Sequence, residues 1–169
     1  MCNNWPEFPI SLDGATGGLI GNTVIICGGD ECYSLTSEKA THATQMSIWR
    51  AGAASIVIND TTLWVTGGNH NFGYLASTEY VTMTKTVPGP DLPMALTGHA
   101  MVAINSTCSM VTGGNLSGEG ANFCALFGFY IKNSEYYLYI FFRKLIFLYT
   151  NIQGVSCDRF LGRTHAPRT

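Results

Sequence analysis

The chain has 169 residues, of which 46% are hydrophobic and only 12% are charged, and its formal charge is −2 at pH 7. This length fits one domain, and the apolar content excludes a wholly disordered chain. The charge balance argues against a nucleic-acid-binding protein, since such proteins carry an excess of clustered basic residues. Nineteen glycines favour a turn-rich β-protein, because glycine destabilises helix interiors.

Glycines and charges are unevenly distributed along the chain. Residues 1–122 contain 16 of the 19 glycines and have a formal charge of −6, whereas residues 123–169 have a formal charge of +4 and 12 of the 20 aromatic residues. We therefore predict a repeat region at 12–122, followed by an atypical tail at 123–169 that is aromatic, then basic, and poorly ordered.

Three interpretations of the aromatic part of the tail stay open. It is a diverged strand pair on the edge of the fold, a membrane-associating segment, or a sequence that does not continue the repeat. The apolar stretch at 136–149 is shorter than the roughly 20 residues that a spanning helix needs, which argues against membrane insertion. No signal peptide is visible at the N-terminus, and the sequence leaves a cytoplasmic and an extracellular location open.

An apolar run that ends in a glycine pair occurs three times, at spacings of 39 and 46 residues. Each run is preceded by a second short apolar run and by a turn of Asn, Asp, Ser or Gly, residue types typical of tight hairpins. The paired runs cover residues 15–20 with 23–29, 53–58 with 63–68, and 99–104 with 109–114. We therefore predict three β-hairpins.

Further strands are predicted downstream of the first two hairpins. The third strands are expected at 31–35 and 78–81, and the fourth strands at 44–48 and 83–87. The third repeat shows no recognisable third strand after Gly120. Each complete unit would be a four-stranded antiparallel sheet of about 40 to 45 residues, a length typical of propeller repeats.

These residues resemble the kelch repeat, whose units form the blades of β-propellers. The resemblance rests on the glycine pairs and on a tyrosine that follows a glutamate shortly afterwards, and residues 50–68 match best. It implies an all-β fold of four-stranded antiparallel blades, about three of them, forming part of a propeller. The family's tryptophan after the tyrosine is missing here. The residues with a structural role in the repeat are Gly28, Gly29, Tyr33, Gly67, Gly68, Tyr80, Gly113 and Gly114.

Few residues in the chain suggest catalysis or cofactor binding. No histidine pair has metal-ligand spacing, so no metal or cofactor site is predicted, and His99 is expected to start a strand with a local hydrogen bond. Cys27 and Cys32 flank a predicted turn, where they are either a disulfide or two small buried residues.

The leading functional hypothesis is a protein-interaction module without enzymatic activity. Rigid sheets would present loops to a protein partner of unknown identity, and the best loop is 69–77, with Asn69, His70, Phe72 and Tyr74 as its binding residues. The alternative for these aromatic residues is packing beneath their own blade. Two other functions stay open: a fragment of a copper-oxidase-like propeller enzyme and a non-functional truncated product. Open blade edges also suggest self-association.

Overall fold

The computed structural model describes residues 7–92, 94–105, 108–116, 126–132, 135–141 and 146–147. Every regular element among these residues is a β-strand, and every strand pairing is antiparallel. The strands form three large sheets and one small hairpin. The all-β fold class predicted from the sequence is therefore confirmed.

Sheet 1 contains β1 (Thr16–Ile20), β2 (Thr23–Leu35) and β3 (Ala40–Arg50), in that order. The predicted third strand at 31–35 is wrong as a separate element, because these residues continue β2 and pair with β3. The register shifts between Gly29 and Glu31, so β2 passes its glycine pair through a bulge instead of ending there. Sheet 1 consequently has three strands and not four.

Sheet 2 is the four-stranded antiparallel blade that the repeat predicts. Its strands, in spatial order, are β4 (Ala54–Asn59), β5 (Thr62–Thr66), β8 (Thr78–Val81) and β9 (Thr86–Pro88). Between β5 and β8 the chain forms a small hairpin of β6 (Asn69–His70) and β7 (Gly73–Tyr74).

Sheet 3 begins with the third predicted hairpin and continues into the tail. Its strands, in spatial order, are β10 (Leu96–Asn105), β11 (Cys108–Leu116), β12 (Leu126–Lys132), β13 (Glu135–Phe141) and β14 (Ile146–Phe147). The sequence shows no third strand for this repeat, whereas the structure places β12 beside β11. Among the described residues, no helix has the length and apolar character needed to cross a membrane.

The large sheets stack face to face in chain order, with one apolar core in each gap. Alternation along β5 explains how one strand supplies both cores, since Leu63 and Val65 point towards sheet 1 while Trp64 points towards sheet 3. This double burial accounts for the nearly continuous apolar run of the middle repeat. The first core contains Ile20, Ile25, Cys27, Cys32, Met46, Leu63, Val65 and Val81, and the second contains Trp64, Leu92, Leu96 and Val111.

Candidate functional site

The loop at 69–77 is anchored by a buried arginine at the end of β3. Arg50 is only 1% exposed, and its Nη1 donates hydrogen bonds to the carbonyl oxygens of Gly67 at 2.8 Å and Ser77 at 2.9 Å. These two carbonyls lie at opposite ends of the loop. Its Nη2 also pairs with the Glu79 carboxylate at 2.8 Å. One guanidinium therefore holds both ends of the loop against the rigid sheets.

Backbone hydrogen bonds hold the middle of the same loop. Asn69 exchanges two of them with Ala51, at 2.8 and 3.0 Å, which joins β6 to the chain that leaves sheet 1. Leu75 N donates to Gly68 O at 2.8 Å. The hairpin closes with His70 opposite Gly73, whose φ of 129° suits a residue without a Cβ. The loop is thus an ordered hairpin.

Three aromatic rings form a row at this hairpin. The ring centroid of His70 lies 5.3 Å from that of Phe72 and 6.3 Å from that of Trp49. Phe72 is 95% exposed and Trp49 is 40% exposed. We call Trp49, His70 and Phe72 the aromatic row. Phe72 does not pack beneath its own blade, which excludes the structural alternative for that residue.

The structure places the four predicted loop residues on one hairpin but in different surroundings. Asn69 is exposed, His70 and Tyr74 are half-buried, and Phe72 projects into solvent. Sequence reasoning missed Trp49, because its place beside His70 depends on the pairing of Ala51 with Asn69. In the sequence, Trp49 directly precedes Arg50, and nothing in this local pattern indicates that its ring lies beside His70.

The part of the chain that carries the aromatic row has an excess of negative charge. Residues 7–116 contain eight acidic and three basic side chains. One of these basic residues, Arg50, is buried and already paired with Glu79. The remaining two, Lys39 and Lys85, are exposed. Aromatic faces attract cations, and a negative surface strengthens that preference.

His99 lies in the gap between sheets 2 and 3. It is 7% exposed, and its Nε2 lies 2.9 Å from the hydroxyl oxygen of Thr66. The expected local hydrogen bond is therefore wrong, since the partner belongs to the neighbouring sheet. Burial lowers the pKa of His99 from 6.5 to about 4, so the imidazole is neutral at pH 7.

The tautomer of His99 follows from the hydrogen-bond pattern. Its Nδ1 is buried and has no hydrogen-bond partner. A buried unpaired acceptor costs less than a buried unpaired N–H, which favours a proton on Nε2. The Thr66 hydroxyl then accepts from His99 and donates to the Ala54 carbonyl oxygen at 3.3 Å or to the Met101 sulfur at 3.1 Å.

The repeat residues lie on the sheets below the loop. Cys27 and Cys32 form a disulfide across the bulge of β2, and both are also buried. Tyr33 is buried with its ring edge-on to His42, at a centroid distance of 5.6 Å. Tyr80 is half-buried, and its ring centroid lies 6.0 Å from that of Trp64. The six glycines are Gly28 and Gly29 in β2, Gly67 and Gly68 directly after β5, and Gly113 and Gly114 in β11.

Metal binding would require a cluster of suitable ligands. Within the ranges that the structure describes, no group of three or more His, Cys, Asp or Glu side chains is placed to hold a metal ion. The exposed pair of His42 Nε2 and Glu31 Oε2, 2.6 Å apart, joins β3 to β2. The feature that stands out for binding is therefore the aromatic row.

The stacked antiparallel sheets define blades of the kelch type, forming part of a β-propeller. No protein-family model matches the chain, and no curated protein matches it. Among solved structures, the chain is similar to that of YjhT, a kelch-repeat β-propeller protein, with a TM-score of 0.57 and 26% identity. The match covers 65% of this chain and 36% of YjhT, so the chain spans about a third of the length of that protein.

Proposed function

We propose that this chain is a protein-interaction module whose aromatic row binds a basic segment of a protein partner. The observation that carries the proposal is Phe72, which is 95% exposed at the tip of an ordered hairpin. A large aromatic side chain that projects into solvent contributes little burial free energy to folding, but it contributes burial free energy to binding when a partner covers it.

The anchoring of the hairpin supports binding rather than mere exposure. Arg50 and the Ala51–Asn69 backbone pair hold the loop in place before any partner arrives. Ordering of a loop normally costs part of the binding energy, and here that cost is met during folding. A pre-ordered aromatic platform is therefore suited to recognising a short segment.

The charge of the partner follows from the surface of this chain. Residues 7–116 contain eight acidic and three basic residues, and this excess of negative charge favours a cationic partner. A Lys or Arg side chain can lie over the exposed face of Trp49 or Phe72, a contact worth about 0.5 to 1 kcal/mol at an exposed site. A basic segment with an apolar anchor is the chemistry that this row fits.

A displayed library of short random peptides tests the proposal. We expect selection on the wild-type chain, with counter-selection on Phe72→Ser, to enrich peptides that contain Lys or Arg. Isothermal titration calorimetry should then show about tenfold or greater loss of affinity for Phe72→Ser, the loss typical of a binding hot spot. Added salt should also weaken binding.

The matched control is Val87→Ser, because Val87 is another exposed apolar residue. It lies on β9 of sheet 2 and is 43% exposed. This variant should bind the selected peptides as the wild type does. Enriched peptides that bind Phe72→Ser and the wild type equally well would refute the aromatic row as the binding site. Selected peptides without basic residues would refute the proposed partner chemistry.

A further inference from the structure

Sheet 2 is covered on both sides, and its two faces define two kinds of surface. Face A is the side that sheet 2 turns towards sheet 1, and it includes Leu63 and Val65, which are 0% exposed. In sheet 1, the same repeat positions are occupied by Val24 and Ile26, which are only half-buried. Beside them on β1, Leu19 is 57% exposed. Within the part of the chain that the structure describes, sheet 1 therefore presents an apolar face A that is only partly covered, with Leu12 against it at Gly28.

Face B is the side that sheet 2 turns towards sheet 3. It includes Ala54, which is 6% exposed, and Ile56, which packs against the second core. In sheet 3, the same positions are occupied by Ala100 and Val102. Ala100 is exposed, and Val102 is 47% exposed. Among the described residues, sheet 3 therefore presents a face B that is exposed at Ala100 and Val102, at the opposite end of the stack from face A of sheet 1.

Two equivalent backbone hydrogen bonds show that sheet 2 packs on sheet 1 in the same way as sheet 3 packs on sheet 2. Gly52 N donates to Gly14 O at 3.1 Å, and Gly98 N donates to Gly52 O at 2.8 Å. The three glycines have φ values of 61°, 62° and 64°. A Cβ on Gly52 would lie 2.9 Å from Thr97 Oγ1 of the next repeat, whereas a Cβ on Gly98 would meet no described atom within 4 Å. At Gly52 the next repeat occupies the space beside the glycine, whereas the equivalent space beside Gly98 is open to a further repeat.

The glycine pairs show the same pattern. A Cβ on Gly67 would lie 2.6 Å from the carbonyl oxygen of Leu96 and 2.8 Å from Cε1 of His99, both in sheet 3. A Cβ on Gly113, at the same position of the next repeat, would meet no described atom within 4 Å. Two independent positions thus indicate that sheet 3 is shaped to receive a further sheet.

We propose that a second copy of this chain fills this place, with the copies joined head to tail. Face A of one copy packs on face B of the other, which continues the interface that already joins sheets 1, 2 and 3. Such an interface is heterologous, and it forms a ring when the rotation closes. Two copies supply six large sheets, within the range of about four to eight blades that propellers use.

The two exposed faces have complementary places in the stack. A partner for face A needs a surface shaped like face B, and the chain carries that surface on sheet 3. In the ring, Gly98 of one copy lies against Gly14 of the other, so the Gly14–Gly52–Gly98 series becomes continuous. In the isolated chain, Leu19 on face A and Val102 on face B are exposed to water, and dimerisation removes both side chains from water at once.

Charge substitutions on the two faces test the arrangement, with the mass measured by analytical ultracentrifugation over a concentration series. The wild-type chain of 18.3 kDa should sediment as a dimer. Leu19→Glu and Val102→Lys should each sediment as monomers, because each places a charge in both interfaces of the ring. Both side chains are exposed in one chain, so neither substitution buries a charge in the monomer. The control Val87→Glu, at an exposed site on neither free face, should stay dimeric.

Mixing the two variants distinguishes a head-to-tail ring from other dimers. In a mixed ring, one interface carries both substitutions with opposite charges and the other interface carries none, so the mixture should recover the dimer. A face-to-face dimer would dissociate with only one of the variants and would not be restored by mixing. The circular dichroism spectrum of each variant verifies its fold, and Leu19→Thr and Val102→Thr replace any charge variant that fails to fold.

A wild-type chain that stays monomeric up to about 100 µM, where a weak but specific dimer is already populated, would overturn the proposal. So would a trimer or larger assembly, a dimer that neither substitution dissociates, or a mixture that stays monomeric. The proposal does not depend on the aromatic row, since Phe72→Ser should leave the dimer intact.

Discussion

Arg50 and Glu79 form an ion pair buried between sheets 1 and 2, with Nη2 of the arginine 2.8 Å from Oε1 of the glutamate and side-chain exposures of 0% and 2%. The carboxylate also accepts hydrogen bonds from the backbone N–H groups of Ser47 at 2.8 Å and Ile48 at 3.3 Å. This pair ties β3 to β8 and anchors the loop that carries the aromatic row. Arg50 Nε is buried without a hydrogen-bond partner.

Removing one member of this pair should destabilise the protein strongly. Arg50→Met leaves the Glu79 carboxylate buried without its cation, and Glu79→Leu leaves the guanidinium buried without its anion. Each should lower the free energy of unfolding by about 3 to 5 kcal/mol, measured by urea denaturation. The double variant should lose less than the sum of the two, because no uncompensated charge remains.

Lys85→Met is the control for a lost positive charge. Lys85 is exposed on the turn before β9, so its replacement should change stability by less than about 0.5 kcal/mol. Additive losses in the Arg50 and Glu79 double variant would contradict the coupling that the geometry implies.

His99 should make the protein less stable in mild acid. Its pKa is about 4 in the folded chain and near 6.5 in the unfolded chain. Between these two pH values, the imidazole is therefore protonated in the unfolded chain and neutral in the folded chain. Stability is fully present above pH 6.5 and falls as the pH drops towards 4. The total loss is about 3.5 kcal/mol, at about 1.4 kcal/mol per pH unit.

Urea denaturation at a series of pH values measures this effect as a difference between variants. The stability difference between wild type and His99→Gln should shrink or reverse as the pH falls from 6.5 to 4. Thr66→Val removes the hydroxyl beside Nε2 but keeps the imidazole, so it should retain the pH dependence of the wild type. A wild type and a His99→Gln variant with parallel pH profiles would show that His99 titrates normally in the folded chain.

The three hairpins were predictable because their signals are local. An apolar run, a two- or three-residue turn and a second apolar run lie within about a dozen residues, and pattern reasoning works at that range. The bulge in β2 was not predictable, since continuation past Gly29 depends on pairing with Arg50 in β3. The sequence of β2 alone therefore suggested two strands where the structure has one.

The candidate site was predictable only in part. His70 and Phe72 follow a glycine pair in a loop of small residues, so an aromatic binding loop was a reasonable inference. Arg50 and Glu79 are 29 residues apart in the sequence, and no local pattern indicates that they form an ion pair between two sheets. The tail strand β12 carries no turn signal that marks it as the partner of β11.

Reduction of the disulfide should destabilise sheet 1. Cys27 and Cys32 are five positions apart, and closing so short a loop stabilises the folded state by about 2 kcal/mol in the chain-entropy account. The urea midpoint should therefore fall when dithiothreitol is added. The double variant Cys27→Ala/Cys32→Ala should have a lower midpoint that dithiothreitol does not change further. A wild-type midpoint that is insensitive to reductant would contradict a stabilising disulfide.

Gly67 and Gly28 occupy the same position in successive repeats, yet they should respond differently to substitution by alanine. Gly67 has a φ of 57°, and a Cβ there would lie 2.6 Å from the carbonyl oxygen of Leu96. Gly28 lies outside the positive-φ region, and its Cβ would press on Leu12, 2.9 Å away in an irregular segment. Leu12 can move aside, whereas the backbone of β10 is held by its pairing with β11.

Gly67→Ala should therefore cost more than about 2 kcal/mol, combining left-handed strain with a backbone clash. Gly28→Ala should cost about 1 kcal/mol or less, because only a side chain and a loop must adjust. Thermal denaturation of the two variants under the same conditions gives the comparison. Equal losses would mean that the position in the repeat, and not the local backbone, determines the need for glycine.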